Sequence, residues 1–138
     1  MTTRLKYCPW APLRAGVTVL EASAGTGKTH QITNIVLRLV TELGIPIDQI
    51  LVMTFTKAAT AELCDRIRKR LHRARQVLED PQHTPDEAFF QEFLRRTVSQ
   101  GKVEEFSTRL RDAIANFDQA FITTIHAFCQ RMLQVHTF

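Results

Sequence analysis

Three features of the sequence predict an α/β fold with a parallel sheet flanked by helices. Short apolar runs at residues 17–21, 50–55 and 119–123 read as strands, each is followed closely by a helical pattern, and the apolar runs are nearly continuous. Continuous apolar strands joined by helical crossovers belong to parallel sheets covered on both faces.

The first strand is Val-Thr-Val-Leu-Glu at 17–21, β-branched, expected to be buried, and ending in a glycine-containing turn. The helix after it carries Ile32, Ile35, Val36, Leu39, Val40 and Leu43 as one apolar stripe at helical spacing, and Gly44 stands where a C-terminal cap belongs. Residues 45–48 connect to the second buried strand, 50–55. The next helix sets Leu63, Ile67, Leu71, Ala74 and Leu78 on one face and Arg66, Lys69, Arg70 and Arg73 on a neighbouring one. After a break at 80–83, Thr84, Pro85 and Glu87 supply an N-cap, a first-turn proline and a capping-box glutamate for a third helix. Its buried side is expected to be Phe89, Phe90, Phe93, Leu94 and Val98, and Gly101 its stop. Val103, Phe106, Leu110, Ala113, Ile114 and Phe117 stripe a fourth helix. The third strand, 119–123, and a helix from 127 to about 135 complete the order.

Composition narrows the class. A chain of 138 residues with 44% hydrophobic and 23% charged residues has the usage of one globular domain, which excludes disorder and fibrous repeats. No apolar stretch is long enough to span a membrane. Arg4 and Lys6 followed by Ala22-Ser23-Ala24 imitate a secretory signal, but Arg14 and Glu21 bracket too short an apolar core. Cys8, Cys64 and Cys129 lack the paired spacing of a disulfide framework or zinc site, so a reducing cytoplasm is expected. The net charge of +4 lies in residues 1–69, with nine basic groups against five acidic. Arg66, Arg68, Lys69, Arg70, Arg73 and Arg75 occur with no acid between them, either as a solvated helix face or as a phosphate-neutralising surface.

The segment with the most chemistry is Ala22-Ser23-Ala24-Gly25-Thr26-Gly27-Lys28-Thr29, between the first strand and first helix. It matches the phosphate-loop pattern G-x-x-x-x-G-K-[ST] except that Ala22 replaces the first glycine. Gly25 and Gly27 permit a backbone that turns N–H groups inward, and the positive end of the helix adds attraction for phosphate. Lys28 is expected to reach the β- and γ-phosphates of ATP, and the Thr29 hydroxyl to ligate Mg²⁺. The expected architecture is thus a P-loop NTPase with a parallel sheet flanked by helices and a helical insertion between the second and third strands. Residues 1–63 form the P-loop and second-strand unit, 64–118 the helical segment, and 119–138 the third strand and following helix.

Two further segments follow strands: Thr54-Phe55-Thr56-Lys57-Ala58-Ala59-Thr60-Ala61-Glu62-Leu63 and Thr124-Ile125-His126-Ala127-Phe128-Cys129-Gln130-Arg131-Met132-Leu133. With residues 21–29 they resemble superfamily 1 helicases of the UvrD/Rep type and, among these, the beginning of the exodeoxyribonuclease V beta-subunit family. The resemblance implies a RecA-like sheet that is incomplete in this chain, and an ATP-driven motor that translocates on single-stranded DNA, unwinds duplex ends, and works with gamma and alpha subunits in recombinational repair. It also implies that Gly25, Gly27, Lys28 and Thr29 hold nucleotide, with Lys28 catalytic, and that 54–57 and 124–126 face DNA.

Ligand sites in parallel α/β sheets do gather beyond the carboxyl ends of strands. Thr54, Thr56 and Thr124 offer hydroxyls to phosphates and Lys57 adds charge; Phe55 is either a stacking face for a base or a core residue. His126 is either a DNA contact or a structural histidine, since the other histidines do not cluster with it. No strand here ends in the acidic pair that a working NTPase needs for Mg²⁺. The chain is therefore expected to be an N-terminal fragment of such a helicase, binding nucleotide without turning it over. A small P-loop kinase and a non-catalytic nucleic-acid module built on the basic helix are the competing readings.

Overall fold

The computed structural model describes residues 6–21 and 27–136. Helix α1 (Lys28–Thr41) leads through a 3₁₀ turn at Ile47–Gln49 to strand β1 (Leu51–Thr54) and the long helix α2 (Lys57–Glu79). Helices α3 (Ala88–Ser99) and α4 (Val103–Ala115) follow, then a 3₁₀ turn at Phe117–Gln119, strand β2 (Phe121–Thr124) and helix α5 (Ile125–His136). The two strands pair in parallel, Leu51 opposite Phe121 through Thr54 opposite Thr124. The second and third predicted strands and the helical insertion between them are therefore present.

The predicted first strand is not. Residues 17–21 belong to no strand, and Val17 and Val19 are 95% and 77% exposed. A strand persists only where its backbone groups find a ladder, and among the described residues the sheet contains β1 and β2 alone. For the same reason β1 is not buried on both faces. Val52 and Thr54 are half-buried while Leu51 and Met53 are exposed, because helices cover only one side of so narrow a sheet.

The core forms where α2 meets α1 and α4. The predicted α2 face, Leu63, Ile67, Leu71, Ala74 and Leu78, is buried, joined by Val77. On α1 the predicted stripe is rotated: Val36 and Val40 are buried, but so are Leu37, Thr33, Asn34 and Thr41, whereas Ile32 and Leu43 are exposed. Apolar residues ring more than half of this helix, and packing on α2 and α4 selects the Leu37 side. The buried Thr41 and Thr97 hydroxyls donate to the carbonyls of Leu37 (2.9 Å) and Phe93 (2.7 Å), which removes the cost of burying them.

Gly44 terminates α1 as predicted. Its φ is +64°, the Ile45 N–H donates back to the Leu39 carbonyl at 3.1 Å, and a β-carbon there would lie 3.0 Å from the Arg109 guanidinium. The predicted capping box of α3 does not form. Thr84 Oγ1 donates to the Pro81 carbonyl (2.7 Å), Glu87 turns to Arg70, and the helix begins at Ala88. Phe89, Phe90 and Phe93 are buried from α3 as expected, but Val98 is on its exposed side. Phe106, Leu110, Ala113 and Phe117 enter the core, with Val103 and Ile114 packed at its edge. Ahead of α1, Trp10 stacks on Phe89 with centroids 4.6 Å apart, and Arg38 Nη1 donates to the Pro9 carbonyl at 2.8 Å. The three cysteines are free, and no helix among the described residues is long and apolar enough to cross a membrane.

Two measurements check this packing. Phe90→Ala should cost about 3–5 kcal/mol in urea unfolding, whereas Ile32→Ala, on the exposed side of α1, should cost well under about 1 kcal/mol. Hydrogen bonds from Arg95 and then Arg96 hold the Glu92 carboxyl down to about 2 from an ordinary 4.5. Because the folded value is depressed, this stabilisation is complete above the ordinary value and is lost as pH falls toward 2. An NMR titration should show Glu92 protonating well below ordinary glutamates, and Glu92→Gln should flatten the acid limb of the stability profile in that window.

Candidate functional site

The carboxyl ends of β1 and β2 lie side by side because Thr54 and Thr124 are register partners. Each strand passes to a helix within two residues, and a threonine caps both helices in the same way. Thr56 Oγ1 accepts from the Ala59 N–H at 3.1 Å to open α2, and Thr124 Oγ1 accepts from the Ala127 N–H at 3.1 Å to open α5. Two positive helix ends therefore begin beside the paired strand tips. Among the described residues neither capping hydroxyl donates its own proton, so each keeps one for an outside acceptor.

Thr54 has a different part. Its hydroxyl lies 2.6 Å from Thr60 Oγ1 and 3.0 Å from the Thr56 carbonyl, which also lies 3.0 Å from Thr60 Oγ1. With two protons for these contacts, one spans the hydroxyl pair and the other goes to the carbonyl. The network turns the chain sharply at 55 and leaves the Phe55 ring 89% exposed, so Phe55 is no core residue. Lys57, in the first turn of α2, and His126, in the first turn of α5, are exposed too.

Of the predicted phosphate loop, Ala22, Ser23, Ala24, Gly25 and Thr26 lie outside the described residues. Gly27, Lys28 and Thr29 are described. Gly27 sits at φ +83° as the N-cap of α1, a conformation that side chains with a β-carbon adopt at a cost. As a glycine it brings no capping side chain, and Lys28, Thr29 and His30 place no acid in the first turn. The helix end thus presents its N–H groups without a built-in carboxylate, as a phosphate site requires. Lys28 is exposed and Thr29 half-buried; one residue beyond His30, Gln31 Oε1 is buried without a hydrogen-bond partner among the described residues. Among those residues no cluster of histidine, cysteine, aspartate or glutamate forms a metal cage. A magnesium ion here would depend on Thr29 and phosphate oxygens.

The basic face of α2 is not an open patch. Arg66 pairs with Glu62 (2.6 Å), Lys69 with Asp65 (2.7 Å) and Arg75 with Glu79 (2.7 Å), each one helical turn away. Arg68 lies over the Phe117 ring at 4.8 Å. Arg70 turns inward to Glu87 and Asn34, under an open cleft of about 330 Å³ that Arg66, Lys69, Arg73 and His30 help to line. Acids flank the basic run rather than interrupt it, which the linear charge pattern conceals. The sequence reading gives Arg70 to the basic face and Glu87 to a helix cap and passes over Asn34, so it misses their mutual contact; the available signal is an asparagine within the helical pattern of α1.

A family model for the UvrD/REP helicase N-terminal domain matches residues 9–138. The chain belongs to this helicase family. It is similar to RecBCD enzyme subunit RecB of Mycolicibacterium smegmatis, 44% identical over 117 residues, covering 85% of this chain and 10% of that protein. RecBCD enzyme subunit RecB of Escherichia coli is 38% identical over 138 residues, covering 92% of this chain and 11% of the relative. The chain thus spans about a tenth of the length of these curated relatives.

The shared capping geometry makes a direct prediction. Thr56→Ala should lower stability by about 1 kcal/mol through loss of the α2 cap, Thr56→Ser should retain most of it, and Thr124→Ala should fray the start of α5. Thermal unfolding and amide exchange at Ala59 and Ala127 measure these effects.

Proposed function

We propose that this chain is the opening nucleotide-binding segment of an ATP-driven DNA motor of the RecB kind. The observation that carries the proposal is the start of α1. A left-handed Gly27 hands directly to Lys28 and Thr29 at a helix end with neither a capping side chain nor an acid in its first turn. In this reading residues 22–29, Ala22, Ser23, Ala24 and Thr26 among them, wrap the phosphates of ATP. Gly25 and Gly27 turn N–H groups inward, Lys28 neutralises the β- and γ-phosphates, and the Thr29 hydroxyl takes one magnesium position. ATP·Mg²⁺ supplies the phosphoryl-transfer chemistry that drives such motors.

DNA lies across the two strand tips. Thr56 and Thr124 donate their remaining hydroxyl protons to phosphates, Lys57 adds charge, and His126 donates from the first turn of α5. Phe55, which stands in solvent, stacks on an unpaired base. Thr54 acts by shaping the turn that presents Phe55. Neither β1 nor β2 ends in a carboxylate, so by itself the chain binds nucleotide without turning it over. The division into a P-loop and second-strand unit (1–63), a helical segment (64–118) and a third-strand unit (119–138) follows these roles. Action on duplex ends in recombinational repair, alongside the gamma and alpha subunits of exonuclease V, is the function this reading assigns to the protein of which such a segment forms part.

Titration with a fluorescent ATP analogue and with single-stranded oligonucleotide separates the two sites. Lys28→Ala should abolish nucleotide binding and leave oligonucleotide affinity within about twofold. Phe55→Ala should weaken oligonucleotide binding by about 1–3 kcal/mol and leave nucleotide affinity unchanged. Nucleotide affinity indifferent to Lys28→Ala would refute the assignment.

A further inference from the structure

The first turns of α1 are contacted by a side chain that lies 42 positions beyond Lys28 in the sequence. Arg70, in the middle of α2, is 10% exposed at its side chain. Its Nε donates to Asn34 Oδ1 at 2.7 Å, and Nη2 donates to the same oxygen. Nη1 and Nη2 also donate to the two carboxylate oxygens of Glu87, at 3.0 and 2.7 Å. The guanidinium carbon sits 4.8 Å from the Phe89 ring centre and 4.4 Å from that of Phe90. Glu87 in turn lies 3.3 Å from His30 Nε2. One guanidinium thus joins α1 at His30 and Asn34, α2, and the start of α3.

Two local structures are forgone for this arrangement. Glu87 is the N-cap residue of α3, yet its side chain makes no cap hydrogen bond and is spent on Arg70. Asn34 is 2% exposed in a helix interior, a position where asparagine is unfavourable without a partner. Among the described residues the start of α1 has a glycine N-cap without a capping side chain and no acid in its first turn. Uncapped first turns fray; within α1 the Thr33 hydroxyl donates to the His30 carbonyl at 2.7 Å, and among the described residues the tether from other elements to these turns runs through His30 and Asn34.

We propose that Arg70 is a positioning residue for the nucleotide site: by gripping Asn34, and His30 through Glu87, it holds the first two turns of α1 so that Lys28 and Thr29 meet the phosphates preformed. This rests on the nucleotide reading above. The role needs a planar, bidentate donor, so lysine does not substitute. Preorganisation of this kind raises affinity by reducing the ordering that binding would otherwise require.

The test compares the unsubstituted chain with Arg70→Lys and Glu87→Gln by site-resolved hydrogen exchange and by titration with a fluorescent ATP analogue, with Lys28→Ala as control. Protection of the amides of Gln31 to Asn34 should fall about tenfold in both variants, while amides in the second half of α1 and in the Leu71 turn of α2 keep theirs. Nucleotide affinity should fall about tenfold with it. Three results overturn the proposal: unchanged exchange at Gln31 to Asn34, unchanged nucleotide affinity despite faster exchange there, or uniform loss of protection in both variants, which would make the network a general stability element. Failure of the unsubstituted chain to bind nucleotide, or binding indifferent to Lys28→Ala, would instead remove the nucleotide reading and its positioning role together, leaving the exchange pattern to report the clamp alone.

Discussion

The apolar face of α2 touches α1, α3, α4 and both strands, and the placement of every candidate functional group follows from it. Leu63, Ile67 and Leu71 are almost completely enclosed, so the helix has one rotation about its axis that buries them. That rotation brings Arg70 to α1 and α3, leaves Arg66 and Lys69 at the surface, and sets Lys57 at the exposed end beside β1. Most of the stability of a helix in a folded protein comes from packing of its apolar face, and that burial makes α2 rigid enough to align groups at both ends.

The second constraint is the parallel register of β1 and β2. Parallel pairing places equivalent ends together, so Thr54 and Thr124, separated by the whole helical insertion, become neighbours. Both strands then give way to helices whose first N–H groups are taken by threonine hydroxyls. The caps are structural in the first instance, yet they leave hydroxyl protons and positive helix ends at one edge of the molecule. Structural economy and binding chemistry coincide at the strand tips, as they do in parallel α/β proteins generally. At the start of α1 the arrangement is the opposite: among the described residues the helix end carries no side-chain cap and no acid in its first turn, and Arg70 reaches it from α2 through Asn34.

Patterns with a short range were legible from residue order. The face of α2, the stop at Gly44 and the phenylalanines of α3 rest on spacing within a few residues and stand in the structure as expected, while the two paired strands are present but shorter, with β1 exposed on one face and β2 starting at Phe121. The stripe of α1 was harder, because apolar residues surround much of the helix and only its neighbours decide which side is enclosed. The capping box before α3 failed for a related reason. Its glutamate had a stronger partner in Arg70, 17 positions away, and a charged, bidentate pair outweighs a local cap. Residues 17–21 have the composition of a strand, but composition cannot provide a ladder.

Residue order alone determined the chemistry offered: a glycine-lysine-threonine helix start, two threonine-bearing strand ends, and the resemblance to UvrD/Rep helicases that those motifs carry. Those are local properties, set by side-chain identity and by dihedral preferences a few residues long. Only the tertiary structure decided that Phe55 stands in solvent, that Arg66, Lys69 and Arg75 of the basic run pair with acids a turn away, and that Arg70 belongs to α1 as much as to its own helix. Such outcomes depend on which distant groups compete for the same partner, and that competition is settled by packing in three dimensions.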